Sequence, residues 1–329
     1  MSRQLTAAPP PAAEAPSATS RTARPKKPTS ALRRTRTFYM FVAPWVIGFV
    51  ALTVFPLGYA FWLSLTDSDG LSPRTHFVGL ENYVEFFQDP LTLNSLARTG
   101  SFTLITVPLS VIAGLLLAVM VNQPIRARGF FRAMIYLPAV VPPVGAALAF
   151  RLIFDRDAGA ANGVLSSIGA DPITWLVDPN ARYVLYALVM WGCGGSMIIS
   201  LAGLQDVPRE VLEAARVDGA TSWQAFTRIT IPLLSPVILF QVVTGVIGSL
   251  QSFAPLLLST GSLSGAGSVP EGNYLFMIHV IAQYFGASRF GYASAMLWIL
   301  FAVILVVTLL IIKVSARTVF YTVDPEGKR

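Results

Sequence analysis

Six long apolar stretches with no charged residue inside them constrain this chain most. They run over 38–65, 99–121, 133–150, 183–204, 233–258 and 293–312. Each is close to the roughly 20 residues that a helix needs to cross the hydrocarbon core of a bilayer. Prolines such as Pro44, Pro56, Pro108, Pro138, Pro142 and Pro143 fall inside the stretches. In a membrane they do not veto a helix, because neighbouring helices and local distortions satisfy the freed carbonyls. The first stretch is too long for the roughly 7–15-residue apolar region of a signal peptide, so it reads as a retained helix. Composition agrees: 12% of the residues are charged against the roughly 25% usual in soluble domains, and mean hydropathy is +0.61. The expected fold is an all-α membrane protein with about six transmembrane helices.

Charge placement orients it. Residues 1–36 carry eight Lys or Arg and one acid, Glu14. This Pro-, Ala- and Ser-rich segment reads as a disordered basic cytosolic tail, because it cannot bury enough apolar surface to order itself. Residues 37–329 then form the transmembrane domain. The segment 122–132 holds Arg126, Arg128 and Arg132 and no acid, whereas 66–98 and 151–182 are rich in Asp and Glu. Positive residues remain inside, which places both termini and the loop 205–232 in the cytosol. The net charge of +7 is spent on this orientation and argues for no nucleic-acid partner.

Much chemistry is excluded. One cysteine, Cys193, allows no disulfide, and two histidines, His76 and His279, lie far apart outside the apolar stretches. No metal, cofactor or catalytic group is expected. None of the four lysines follows a glycine-rich loop, so the chain has no P-loop for ATP. No Asp, Glu, Lys or Arg lies within the apolar stretches, and proton-driven carriers usually need an ionisable relay there. Uphill transport would therefore draw its energy from a partner.

The loop 205–232 is charged and well patterned. Asp206 offers an N-cap and Pro208 a first-turn residue for a short amphipathic helix over Arg209, Glu210, Leu212, Glu213 and Arg216. Asp218-Gly219 ends it, since glycine adopts the left-handed conformation of a helix stop. Thr221 to Gln224 forms a capping box opening a second helix. Ala214 and Ala215 would present a flat surface to another protein.

Glu213-Ala214-Ala215, then Asp218-Gly219-Ala220, then Phe226, Ile229, Pro232 and Pro236 resemble the EAA loop of binding-protein-dependent ABC import permeases. The segments 77–90, 130–143 and 290–296, with Gly159, Asn162, Gly169 and Trp175, resemble the carbohydrate permeases of that family. The family's Thr-Gly-Gly-Gly-Pro is degraded here to Ser259-Thr260-Gly261-Ser262-Leu263. The resemblance covers about residues 38–320. It implies a bundle in the bacterial plasma membrane, paired with a second homologous permease. It also implies a cytosolic ABC ATPase dimer docked on the loop, an external solute-binding protein and a sugar substrate.

The membrane interior offers Tyr186, Trp191, Ser196, Gln241, Ser249, Gln251 and Ser252, groups that suit a neutral polyol. Carried over by distance from the EAA loop, the family's sugar contacts fall on Trp191 and Gly195 before it and on Gly245, Ser249 and Ser252 after it. The last three share one helical face, which could equally be a close helix contact. A stand-alone carrier or channel, and an ABC permease for a non-sugar solute, remain the alternatives.

Overall fold

The computed structural model describes residues 29–316 apart from 71, 73–74, 125 and 260–267, with side chains from residue 35 onward. Most of the basic tail and the degraded 260–263 motif lie outside the described residues. Among those described, the one extended pairing is an isolated bridge between Thr66 and Phe77, and the remainder is helix and connecting loop. The chain divides after Leu57 into two units.

The first unit contains α1 (Thr29–Phe49), a π-turn over Val50–Val54 and the start of α2 (Phe55–Ser64). The helix begins at Thr29, ahead of the tail boundary read at 36. The wide turn answers Pro56, whose ring has no N–H and clashes with the carbonyl four residues back. Phe41 and Leu52 are each 81% exposed and Trp45 69%. Rings and aliphatic chains facing outward along a continuous apolar helix suit a lipid environment.

The second unit is organised around α4 (Pro90–Asn122), which packs along α9 (Gly194–Asp206) and α13 (Ser235–Leu250). Asp89 caps α4 by accepting from the Leu91 N–H at 2.9 Å, with Pro90 in the first turn. The approach to α9 is close. A Cβ on Gly114 would lie 2.4 Å from Ser196 Oγ, and one on Gly194 only 2.1 Å from the carbonyl oxygen of Ile135 on α5 (Arg128–Val140). Apolar burial hardly drives helix pairing inside a bilayer, so small residues that admit close backbones take over that role.

Four helical segments are long and apolar enough to span a membrane: Thr35–Ser64, Pro90–Asn122, Ala181–Asp206 and Phe290–Ser315. Counting each of two bent pairs as one span raises the total to six. One is α5 with α6 (Pro143–Ile153), bent by 95° at Pro142–Pro143; the other joins Ser222–Leu233 to α13 at 62°. Six apolar stretches are thus present, but the third is not one straight helix. The fifth ends at Leu250, and residues 254–259 form a separate short helix. A further apolar helical segment, Phe276–Gly286, was not read from the sequence. It holds His279, which lies outside the six apolar stretches yet is 1% exposed.

That histidine joins a polar staple at one end of the unit. Its Nε2 lies 3.0 Å from Thr92 Oγ1 and 3.4 Å from Asp89 Oδ2; Thr92 also meets the Tyr292 hydroxyl at 3.0 Å. Arg289 donates to Glu85 at 2.5 Å and lies over the Tyr292 ring. Partial burial pushes the Asp89 carboxyl up, but the Thr92 hydroxyl, the Leu91 N–H and His279 outweigh it and hold it below its ordinary value. A depressed carboxyl contributes stability above its unfolded pKa, and loses it as pH falls through the lowered folded value.

Candidate functional site

Two places in the second unit bring the candidate residues together. The first is a cavity of about 380 Å³ between α4, α9 and α13, with Val189 of α8 (Ala181–Trp191) also in its wall. Its polar lining comes from Thr106 and Ser110 on α4, Ser196 on α9, and Gln241, Thr244 and Ser249 on α13. No ionisable side chain lines it. Gln241, 5% exposed, bridges the helices: its Oε1 accepts from Ser196 Oγ, and its Nε2 donates to Ser200 Oγ at 2.9 Å. Ser249 Oγ donates to Thr103 Oγ1 at 2.9 Å. Such a wall offers hydroxyls and an amide that can donate and accept, with aliphatic patches between them.

Gly245, Ser249 and Ser252 all line this cavity, and Gly245 also packs against Val107. That face therefore both lines a cavity and, at Gly245, packs closely on α4. Trp191 and Gly195 do not line it. Trp191 is the last residue of α8, 37% exposed, edge-on to Phe150 at 5.6 Å. Gly195 faces Ala139 of α5. The α4 contribution was missed, although Thr99, Thr103, Thr106 and Ser110 recur at helical spacing and give the signal.

The second place is the loop 205–232. Its helix α10 (Arg209–Val217) is capped by Pro208, not by Asp206, which is the last residue of α9. Gly219 has φ +80°. The Gly219 N–H donates to Arg216 O at 3.1 Å, and the Ala220 N–H to Ala215 O at 2.9 Å. These two bonds make a complete Schellman stop beyond Asp218. The Thr221 capping box is present: the Thr221 N–H donates to Gln224 Oε1 at 2.8 Å, and the Gln224 N–H to Thr221 Oγ1 at 3.2 Å. Glu213, Ala214, Asp218 and Gly219 are exposed and Ala220 is half-buried. Ala215 is 8% exposed, so it anchors α10 from beneath, and the flat exposed surface is Ala214 alone. Val217 and Trp223, at 87% and 72% exposed, extend an apolar margin beside it.

A lipid-suited helical bundle with a neutral polar cavity and a structured charged loop defines a membrane transport subunit. The chain belongs to the family of binding-protein-dependent transport system inner membrane components, whose pattern matches residues 110–321. It is therefore a permease subunit of an ABC importer.

Similar proteins include the probable ABC transporter permease YesP of Bacillus subtilis, 36% identical, with 86% of this chain and 91% of that protein covered. The lactose transport system permease LacF of Rhizobium radiobacter is 33% identical, with 83% and 91% covered. The trehalose/maltose transport system permease MalF of Thermococcus litoralis is 29% identical, with 86% and 95% covered. A crystal structure of a bacterial ABC transporter involved in alginate import shares the fold, with TM-score 0.72 at 23% identity over 89% of this chain and 99% of that one.

Proposed function

We propose that this subunit imports a carbohydrate that an external solute-binding protein hands over, and that a separate cytosolic ATPase drives it through α10. The observation that carries the reading is the uncharged, hydroxyl- and amide-lined cavity. A neutral polyol exchanges hydrogen bonds with water for equivalent bonds to Gln241, Ser249, Thr106 and Ser110. Related permeases named for lactose and for trehalose and maltose support the same solute class.

The partners follow from the same chemistry. A second homologous permease completes the pathway. The ATPase docks on Glu213, Ala214 and the Asp218-Gly219-Ala220 stop, where a short helix closed by its Schellman bonds transmits a push. Gly245 and Ser249 on α13, and Ser252 just beyond its end, are the solute contacts; Trp191 and Gly195 act from outside the lining. The basic residues of the tail and of 122–132 support a topology with both termini in the cytosol. The test is sugar uptake and ATP hydrolysis by the complete complex in liposomes. Hydrolysis stimulated by loaded binding protein, together with uptake, supports the reading. Uptake that persists without ATPase subunits would replace it with a stand-alone carrier.

A further inference from the structure

A second, smaller cavity of about 190 Å³ lies next to the first. Phe102 lines both, and its ring stacks on Tyr186 at 6.1 Å. The lining of the small cavity differs in kind. Arg98, at the head of α4, and Arg182, in the first turn of α8, face it together with Asn273 and Tyr186. Two cations and no carboxylate line it. The nearby acids are otherwise engaged. Asp178 Oδ2 accepts from the Gly272 N–H at 3.1 Å, and Glu271, 80% exposed, pairs with Arg98 Nη2 from the rim. Two buried polar atoms have no protein partner: Arg98 Nη1 and Asn273 Oδ1, the latter on a residue only 2% exposed.

We propose that this cavity is a subsite at the external mouth of the pathway that binds the carboxylate of an acidic sugar. It rests on the carbohydrate reading above and narrows it to sugars carrying an acid group. A guanidinium fork takes a carboxylate with two parallel hydrogen bonds. Arg98 uses one nitrogen on an exposed glutamate, and exposed pairs of that kind contribute little. A sugar carboxylate displaces Glu271 and takes both nitrogens, with Arg182 adding charge from the opposite wall. A ring hydroxyl beside the carboxylate donates to Asn273 Oδ1. The apolar face of the sugar lies on Tyr186. Past Phe102 the pathway is uncharged, so the acid is read at the mouth and not again.

The test places a single cysteine at Ser101, an exposed residue of the lining, in the assembled complex carrying Cys193→Ser. The anionic reagent sulfonatoethyl methanethiosulfonate should modify it about tenfold faster than its cationic trimethylammonium counterpart at low salt. Galacturonate at millimolar concentration should slow the modification severalfold, while galactose should not. Arg98→Gln with Arg182→Gln should abolish both effects. Arg98→Lys, which keeps the charge but not the fork, should retain the reagent preference and lose most of the protection. Equal protection by galactose and galacturonate, protection by neither, or faster modification by the cationic reagent would overturn the subsite. Sugar uptake by the same complex is measured in parallel. Failed protection with intact uptake sinks the subsite alone. Protection in a complex that imports no sugar supports the subsite and sinks the carbohydrate reading.

Discussion

Gly219 is where one residue decides an element's direction. Its φ of +80° lies in the left-handed region, and a Cβ built there meets nothing within 4 Å. The demand is therefore on the backbone, not on space. A β-branched side chain in that conformation costs about 1–2 kcal/mol. The chain would relieve it by opening the Schellman bonds and turning α10 away. Gly219→Val should leave abundance and assembly near normal, while uptake and binding-protein-stimulated hydrolysis in liposomes fall together. Gly219→Asn, which tolerates this conformation, should keep most of both. Wild-type values in the valine variant would remove α10 from the coupling role. Gln241 makes a comparable case inside the membrane. Gln241→Leu fills similar space but strips the amide that joins Ser196 to Ser200. Uptake should fall about fivefold or more, which corresponds to the ~1 kcal/mol typical of one hydrogen bond. Trp191→Ala, outside the lining, should change the uptake KM less than Gln241→Leu does.

At the scale of elements, the loop after α6 shows how one side chain organises a segment with little core of its own. Asn162, on α7 (Ala160–Ser167), donates through Nδ2 to Arg156 O at 2.8 Å and Ile173 O at 2.9 Å. Its Oδ1 accepts from the Ile173 N–H at 3.0 Å and from Trp175 Nε1 at 2.9 Å. All four capacities of the amide are used. Asn162→Asp turns the donor into an acceptor facing two carbonyls, a loss of about 1–3 kcal/mol for each buried group left unpaired. Limited proteolysis between 155 and 180 should accelerate severalfold, and unchanged protection would show that the loop is held elsewhere. The positions of the helices were legible because apolar length is a coarse signal that survives local detail. Their interruptions were not. The bend at Pro142–Pro143 and the end of α13 at Leu250 leave hydrophobicity unbroken. Phe276–Gly286 is short and contains His279 and Gln283, which dilute its apolar signal. Counting forward from the loop, Gly245 and Ser249 on α13 and Ser252 just beyond it come to the cavity wall. Counting backward, Trp191 and Gly195 fall outside that wall, because the turn at Gly192–Cys193 resets the phase between α8 and α9.

At the scale of the whole molecule, the charge distribution and the helix ends make one joint claim about sidedness. Nine of the 17 acids lie in 66–89 and 155–178, Arg126, Arg128 and Arg132 gather in 122–132 without an acid, and the proposed six-crossing topology puts α10 on the side of those arginines. Basic residues resist translocation and acidic ones contribute little to orientation, so the asymmetry sets the topology during insertion. The check needs positions that are exposed and structurally idle. Asn82 is unsuitable, because it is buried and donates to the carbonyls of Ser64 and Thr66, both at 2.9 Å. Gln88, exposed at the end of α3 (Glu81–Gln88), and Gly129, where a Cβ meets nothing within 4 Å, serve instead. In a Cys193→Ser background, Gln88→Cys should react with a membrane-impermeant thiol reagent on intact cells. Gly129→Cys should react only after permeabilisation. The reverse pattern would put α10 outside, where no ATPase can reach it. The mouth subsite would then face the cytosol, and the import direction assigned to the two cavities would invert.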